Sequence, residues 1–208
     1  MPRCAAHLAN AARGRTGLNH LDARTEAGRA YLHDMDWARR FSRASRRAML
    51  LAAGNAAAEV LGWGVLADTL YDCDHNHIET EGADGAQRFI HRKGASPAHD
   101  GRPGIIPGSM GTASFHVIGR GEPEALQSSA HGAGRAMSRR QASKSWQGGK
   151  VIDELKTRGI LIRSPSLRGV AEEAPGAYKD VSRVVDAADH AGLSRKVARL
   201  EPLICVKG

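Results

Sequence analysis

Residues 104–121, "GIIPGSMGTASFHVIGRG", decide the fold class. The apolar pair Ile105 and Ile106 is cut off by Pro107 and Gly108, and the run Ser114, Phe115, His116, Val117, Ile118 then alternates in polarity. Pro-Gly punctuation makes a turn and alternation at period two makes a strand, so the stretch reads strand–loop–strand. Toward the C-terminus, "AHGAGRAMSRRQASKSW" (130–146) opens a helix after its glycines. "KVIDELKTRGILIRS" (150–164) reads as helix, a turn at Gly159, then strand. "YKDVSRVVDAADHAGLSRKVARL" (178–200) reads as helical with a break at Gly192, and "PLICVKG" (202–208) as a terminal strand. Toward the N-terminus, "RFIHRKGASPA" (88–98) is a strand entering a loop at Gly94, and "TLYDCDHNHIETEG" (69–82) a strand or strand–turn. Before them a helix spans Thr25 to Leu61, with Thr25 as cap and Glu26 at the positive end. Gly54 is placed to bend or break it, and Tyr31, Met35, Ala38 and Phe41 form its apolar stripe. Helices and strands mix without regular βαβ alternation, which predicts an α+β fold of mixed sheets with flanking helices. Residues 1–23 form a poorly ordered basic stretch, and 24–208 form the folded portion.

Composition narrows the partners. The 208 residues carry 30 Lys+Arg against 22 Asp+Glu, a formal charge of +8, and a basic surplus favours phosphate-bearing partners. The surplus is uneven. Residues 1–50 hold ten arginines and four acids, whereas 51–100 hold three bases and eight acids. Arg39, Arg40, Arg43, Arg46 and Arg47 crowd one helix face, which suits either a solvated surface or a nucleic-acid backbone. Cys4, Cys73 and Cys205 are widely spaced and make no CxxC, which argues against a disulfide framework or a zinc knuckle and for a reducing, cytoplasmic setting. No run of about 18 apolar residues is present, so no membrane span is expected.

Three stretches carry candidate chemistry. "SSAHGAGRAMSRRQA" (128–142) surrounds His131 with small residues and follows it with Arg135, Arg139 and Arg140. Glycines at 132 and 134 allow backbone N–H groups to converge on an anion, and Arg135 falls one helical turn beyond His131. His131 is open to four readings, nucleophile, base, metal ligand or plain core residue, with a surface turn as the bland alternative. "DCDHNHIE" (72–79) packs oxygen and nitrogen donors suited to Mn²⁺ or Zn²⁺. On a strand, His75, His77 and Glu79 would share a face, and a His-Asn-His nuclease site is a further reading. The loop from Pro107 supplies small donors for phosphate or sugar but lacks GxxxxGK[ST], so it is not a P-loop.

Taken together, "YDCDHNHIETEG", "HRKGASPA", "GRPGIIPGSMGTASFHV", "SSAHGAGRAMSRRQA", "EEAPGAYKDVSRVVDAADHAGL" and "RLEPLICVKG" resemble, in order and rough spacing, the C-terminal half of RtcB RNA ligases. "EAGRAYLHDMDWARRFSRASRR" (26–47) resembles the helix before them, and the likeness covers about residues 24–208. The resemblance implies an RtcB-like fold lacking its N-terminal half. It implies an enzyme that joins an RNA 3′-phosphate, or 2′,3′-cyclic phosphate, to a 5′-hydroxyl with GTP and Mn²⁺. His131 would be the nucleophile that carries GMP. His75 would bind Mn²⁺, with Asn76 beside the GTP phosphates. Pro107, Gly108, Ser109, Met110, Ser114, Gly132, Ala133 and Gly134 would contact GTP, Arg135 would neighbour phosphate, and Tyr178 and Lys207 would reach the guanine end.

The chain departs from the family pattern at Ser45, where an Asn-Arg pair is usual, and at Cys73 and Asp74 before the His-Asn pair. The family's other metal-ligand segments are not found here. The partners expected are therefore RNA and a separate chain supplying those segments, with no membrane. The alternative is an inactive remnant that still binds RNA or nucleotide.

Overall fold

The computed structural model describes residues 12–13, 19–62, 64, 71–82 and 87–207. Most of the basic stretch expected to be poorly ordered, 1–23, lies outside the described residues. The chain divides into two compact units, one of Met1–Asp72 with His77–His91 and the other of Cys73–Asn76 with Arg92–Gly208. Helices and several small sheets are interspersed, so the α+β expectation holds.

In the first unit, β1 (Ala12–Arg13) pairs antiparallel with β2 (Asn19–His20). Helix α1 (Glu26–Leu61) follows, and β3 (Asn76–Glu81) pairs with β4 (Arg88–Lys93), the unit holding residues 77–81 of the one and 88–91 of the other. Thr25 caps α1 as expected: its hydroxyl accepts the Gly28 N–H at 3.1 Å. Gly62 ends the helix in the left-handed region at φ 72° and donates to the Ala58 carbonyl. Gly54, expected to bend or break α1, lies inside it. One interior glycine costs only about 1 kcal/mol relative to alanine, which a 36-residue helix tolerates. The expected stripe is only partly realised. Tyr31 and Met35 are half-buried, while Ala38 and Phe41 are exposed. Several of these arginines are engaged within the unit: Arg39 donates to the Ile78 carbonyl at 3.0 Å, Arg40 pairs with Asp36 at 3.0 Å, and Arg46 pairs with Asp72 at 2.6 Å.

In the second unit, β6 (Pro103–Ile106) and β7 (Ser114–Gly119) are the strands read from the 104–121 stretch. β7 is the middle of a three-stranded antiparallel sheet, with β6 on one side and β10 (Ser194–Leu200) on the other. Its period-two pattern turns Phe115 and Val117 inward. α5 (Val181–His190) buries Val181, Val185 and Ala188 at helical spacing, and Val181 and Val185 join Ile106, Phe115 and Val117 in one core cluster. The second cluster gathers Met110, Val151, Leu155, Ile160, Ile162, Val170 and Ala174. It is built by α3 (Gly148–Thr157), α4 (Leu167–Glu172) and the parallel pair β9 (Leu161–Arg163) and β11 (Ile204–Val206), in which Cys205 faces Ile162.

The sequence reading differs from the structure at two places in this unit. Residues 194–200, expected to continue a helix past Gly192, form β10. Gly192 sits at φ 71°, and the chain beyond it finds the open edge of β7. Gly94 begins not only a loop but a further strand, β5 (Ala95–Pro97), which pairs antiparallel with β8 (Ser128–Ala130). The helix after the glycines is α2 (Arg139–Ser145), opened by a capping box of Ser138 and Gln141.

Leu155 is 1% exposed at the centre of the second cluster. Leu155→Ala should cost about 2–5 kcal/mol of unfolding free energy through lost burial and a residual cavity. Urea unfolding followed by circular dichroism measures this; a loss below about 1 kcal/mol would show that the cluster is not close-packed.

Candidate functional site

The site is assembled by strand pairing. In the register of β5 with β8, Ala95 faces Ala130. Gly94, immediately before β5, therefore lies beside His131, immediately after β8. Gly94 sits at φ 74°, and its N–H donates to the His75 carbonyl at 2.8 Å and to Asn76 Oδ1 at 3.1 Å. Three sequence-distant segments meet at this glycine. The rings of His75 and His131 stack with centroids 4.7 Å apart and planes 6° from parallel. A side chain on Gly94 would sit 3.5 Å from His131 Cε1 and would oblige the backbone to hold a left-handed conformation.

The loop between β6 and β7 joins the same locus. The Ala133 N–H donates to the Pro107 carbonyl at 3.1 Å, which fixes the glycine loop against the Pro107 turn. The Gly108 N–H reaches the Ser114 hydroxyl at 3.3 Å, and Thr112 Oγ1 accepts from the Ser109 N–H at 2.7 Å. A Cβ at Gly108 would collide with the Ala113 carbonyl, so this loop closes only with glycine there. Met110 and Ala133 are turned into the two core clusters, Met110 6% and Ala133 4% exposed, so contact from either with a ligand would run through the main chain.

Arg135 is not one helical turn from His131, because 131–138 are not helical and Gly134 sits at φ 73°. Its guanidinium instead makes four hydrogen bonds within the protein, to the Met137 carbonyl, Glu173, the Tyr178 hydroxyl and the Glu172 carbonyl. It also lies over the Tyr178 ring, 5.0 Å from the centroid.

Glu173 is the residue that sequence reading did not single out. Its side chain is 12% exposed, and Arg135 at 3.3 Å, Arg139 at 3.1 Å and Lys207 at 3.5 Å converge on its carboxylate. The Tyr178 hydroxyl donates to it as well. Burial alone would raise the Glu173 carboxyl, but Tyr178, Lys207, Arg139 and Arg135 together outweigh burial and hold it below its ordinary range. Burial and the Glu173 carboxylate push the Tyr178 phenol above its ordinary range. The only sequence cue was "EEAPGAY" (172–178), in which Pro175–Ala177 form a tight turn that returns Tyr178 toward Glu173.

The structure thus brings His75, Asn76, Gly94 and His131 together, joins Pro107 to Ala133, and gathers Arg135, Tyr178 and Lys207 around Glu173. The nuclease reading loses its geometry. His75 precedes the strand and is exposed, whereas His77 within β3 is 3% exposed and cannot reach a substrate. A family model described as "tRNA-splicing ligase RtcB" matches residues 4–208. The chain belongs to the RtcB family. The RtcB-like fold expected from the sequence motifs follows from that membership and from the α+β architecture. The RNA-splicing ligase RtcB of Mycobacterium tuberculosis is 44% identical over 198 residues, covering 87% of this chain and 45% of its own length. The tRNA-splicing ligases RtcB of Pyrococcus horikoshii and Thermococcus kodakarensis are 38% and 37% identical, each over 88% of this chain and over 24% and 43% of their own lengths. The chain spans less than half the length of these curated RtcB relatives. The match of the RtcB family model begins at residue 4, inside the basic stretch of 1–23.

The Glu173 cluster makes stability depend on pH with a definite sign. A carboxyl held low when folded contributes stability above its unfolded value, near pH 4.3, that is lost as pH falls through the folded value. Glu173→Gln should therefore cost about 1–2 kcal/mol at pH 7, the outer arginine being well exposed, and almost nothing at pH 2. Urea midpoints of the two proteins at both pH values measure this, and a gap that stays constant would remove Glu173 from the charge balance.

Proposed function

We propose that this chain carries the nucleotide-transfer part of a GTP- and Mn²⁺-dependent RNA ligase, which joins an RNA 3′-phosphate or 2′,3′-cyclic phosphate to a 5′-hydroxyl in a cytoplasmic setting. The observation that carries the reading is the parallel stack of His75 on His131 beside the Gly94 turn. A neutral imidazole is a competent nucleophile toward phosphorus, and small residues around it leave room for in-line attack. One ring nitrogen of His131 attacks the α-phosphorus of GTP. The bond to the bridging oxygen breaks, pyrophosphate leaves, and the ring proton passes to solvent. An oxygen of the RNA 3′-phosphate then displaces His131 and takes up GMP. Where the RNA end is cyclic, water opens it first. The 5′-hydroxyl oxygen finally attacks the activated RNA phosphorus, its proton goes to solvent, and GMP leaves.

The remaining roles are carried over from the RtcB resemblance. Asn76, with the turn of Pro107, Gly108, Ser109, Met110 and Ser114 and the loop of Gly132, Ala133 and Gly134, would surround the phosphates, and Arg135 would brace that loop through its contacts with Glu173 and Tyr178. Tyr178 and Lys207 would stand at the guanine end. His75 would hold Mn²⁺ through one imidazole. A Mn²⁺ site takes several ligands, so phosphate oxygens or a second chain carrying further RtcB segments would complete the set. When bound, the metal would offset negative charge on the triphosphate. RNA itself would meet the exposed arginines, and that contact would weaken with salt.

The test is protein labelling with α-³²P-GTP and Mn²⁺, using this chain alone and mixed with the N-terminal half of an RtcB relative. Acid-labile label on the chain, absent in His131→Ala, is the expected result in the mixture. No label in either mixture overturns the ligase reading, and salt-sensitive RNA binding that then survives His131→Ala would identify a binding remnant.

A further inference from the structure

We propose that Glu173 is a positioning residue of the nucleotide site, holding Tyr178 and Lys207 in the arrangement that selects guanine over adenine. This rests on the reading above that Tyr178 and Lys207 stand at the guanine end. The geometry is a clamp. One carboxylate oxygen takes Arg135 and Arg139, and the other takes the Tyr178 hydroxyl and the Lys207 ammonium. Four side chains from three separate stretches are thereby fixed on one carboxylate. Arg135 and Arg139 flank the start of α2, Tyr178 follows the tight turn, and Lys207 follows β11.

Each partner needs Glu173 for a different reason. The Lys207 side chain is 34% exposed, and its backbone N–H is already tied to the Arg163 carbonyl at 2.8 Å. A lysine stem has four rotatable bonds, so its ammonium stays at one place only when a charge holds it. An ammonium bears three N–H donors, and the 3.5 Å approach to Glu173 engages one direction. The others can meet a carbonyl oxygen, which guanine has at position 6 and adenine lacks. Tyr178 is half-buried against the first core cluster, and its hydroxyl is pinned between Glu173 and Arg135. The phenol is thus fixed in tilt before any base arrives. Binding to a pre-set wall loses less ordering entropy than binding to a mobile one.

The experiment compares wild type, Glu173→Gln and Glu173→Asp as full chains, with calorimetric binding of GTP and ATP, thermal melting, and ultraviolet titration of tyrosine against Tyr178→Phe. Glu173→Gln is expected to remain folded, to weaken GTP about tenfold, and to change ATP less than about twofold, because a glutamine amide oxygen can still accept from Tyr178 whereas the charge that holds Lys207 at the carbonyl is lost. Tyr178 in this variant should ionise at a lower pH than in wild type. Glu173→Asp, which keeps the charge, should recover most of the GTP preference. Equal loss of GTP and ATP, or an unchanged GTP preference in folded Glu173→Gln, overturns the positioning role. Failure of wild type to bind GTP overturns the nucleotide reading and the base-selecting role with it, while the tyrosine titration still reports whether Glu173 fixes Tyr178.

Discussion

The pairing of Ala95–Pro97 with Ser128–Ala130 is the constraint on which the site depends. It is short, yet it sets Gly94 against His131 and so brings the 75–76 segment to a residue 55 positions away. The pair is braced at both ends. The buried Arg92 side chain donates to Ser128 Oγ at 2.9 Å and to the Leu126 carbonyl at 3.0 Å. Leu126 and Gln127 both hold positive φ, which costs non-glycine residues about 1–2 kcal/mol each. Ala98 N–H to the Gln127 carbonyl and Gln127 N–H to the Glu122 carbonyl offset that strain. Ser129 and Ser194 share a buried hydroxyl contact at 3.0 Å, which ties β8 to β10 and hence to the main sheet.

Around this frame, charge is arranged by pairing more than by display. An arginine-rich motif suggests cations aimed at a ligand, but Arg135 is consumed by contacts with its own protein. Its work is to hold the loop after His131 against the turn that carries Tyr178, through the bridge of Arg135 with Tyr178 and the bond from Lys179 N–H to the Gly134 carbonyl. A partly buried carboxylate among three cations is tolerable because each loses its hydration only in part and gains a charged partner. Glu173 thereby does for the C-terminal end of the site what Gly94 does for the histidine end. Both bring together segments that have no local reason to meet.

Much of the architecture was legible because it is governed by local rules. The Thr25 cap, the strand pair around the Pro107 loop, the helix of 148–157, the turn at Gly159 and the last strand all follow from capping chemistry, period and punctuation. Two local preferences are not followed. Gly54, with a preference to bend or break a helix, is absorbed by a long one, and 194–200, helical by local pattern, completes a sheet edge. In the first case the local helix ladder of 36 residues absorbs one weak helix former, and in the second a non-local strand ladder overrides a local preference.

For the site, the sequence by itself determined the family and the cast: a histidine among glycines, a second histidine followed by asparagine, and a glycine–serine loop, all of which mark places where a backbone must come close to something small. It did not determine that Glu173 is the hub, that Arg135 faces inward, or that His77 is buried while His75 is exposed. Those facts depend on which strands pair and on how a single carboxylate settles among cations from distant stretches. Such choices are made by the free energy of the whole packed unit, and no window of residues contains it.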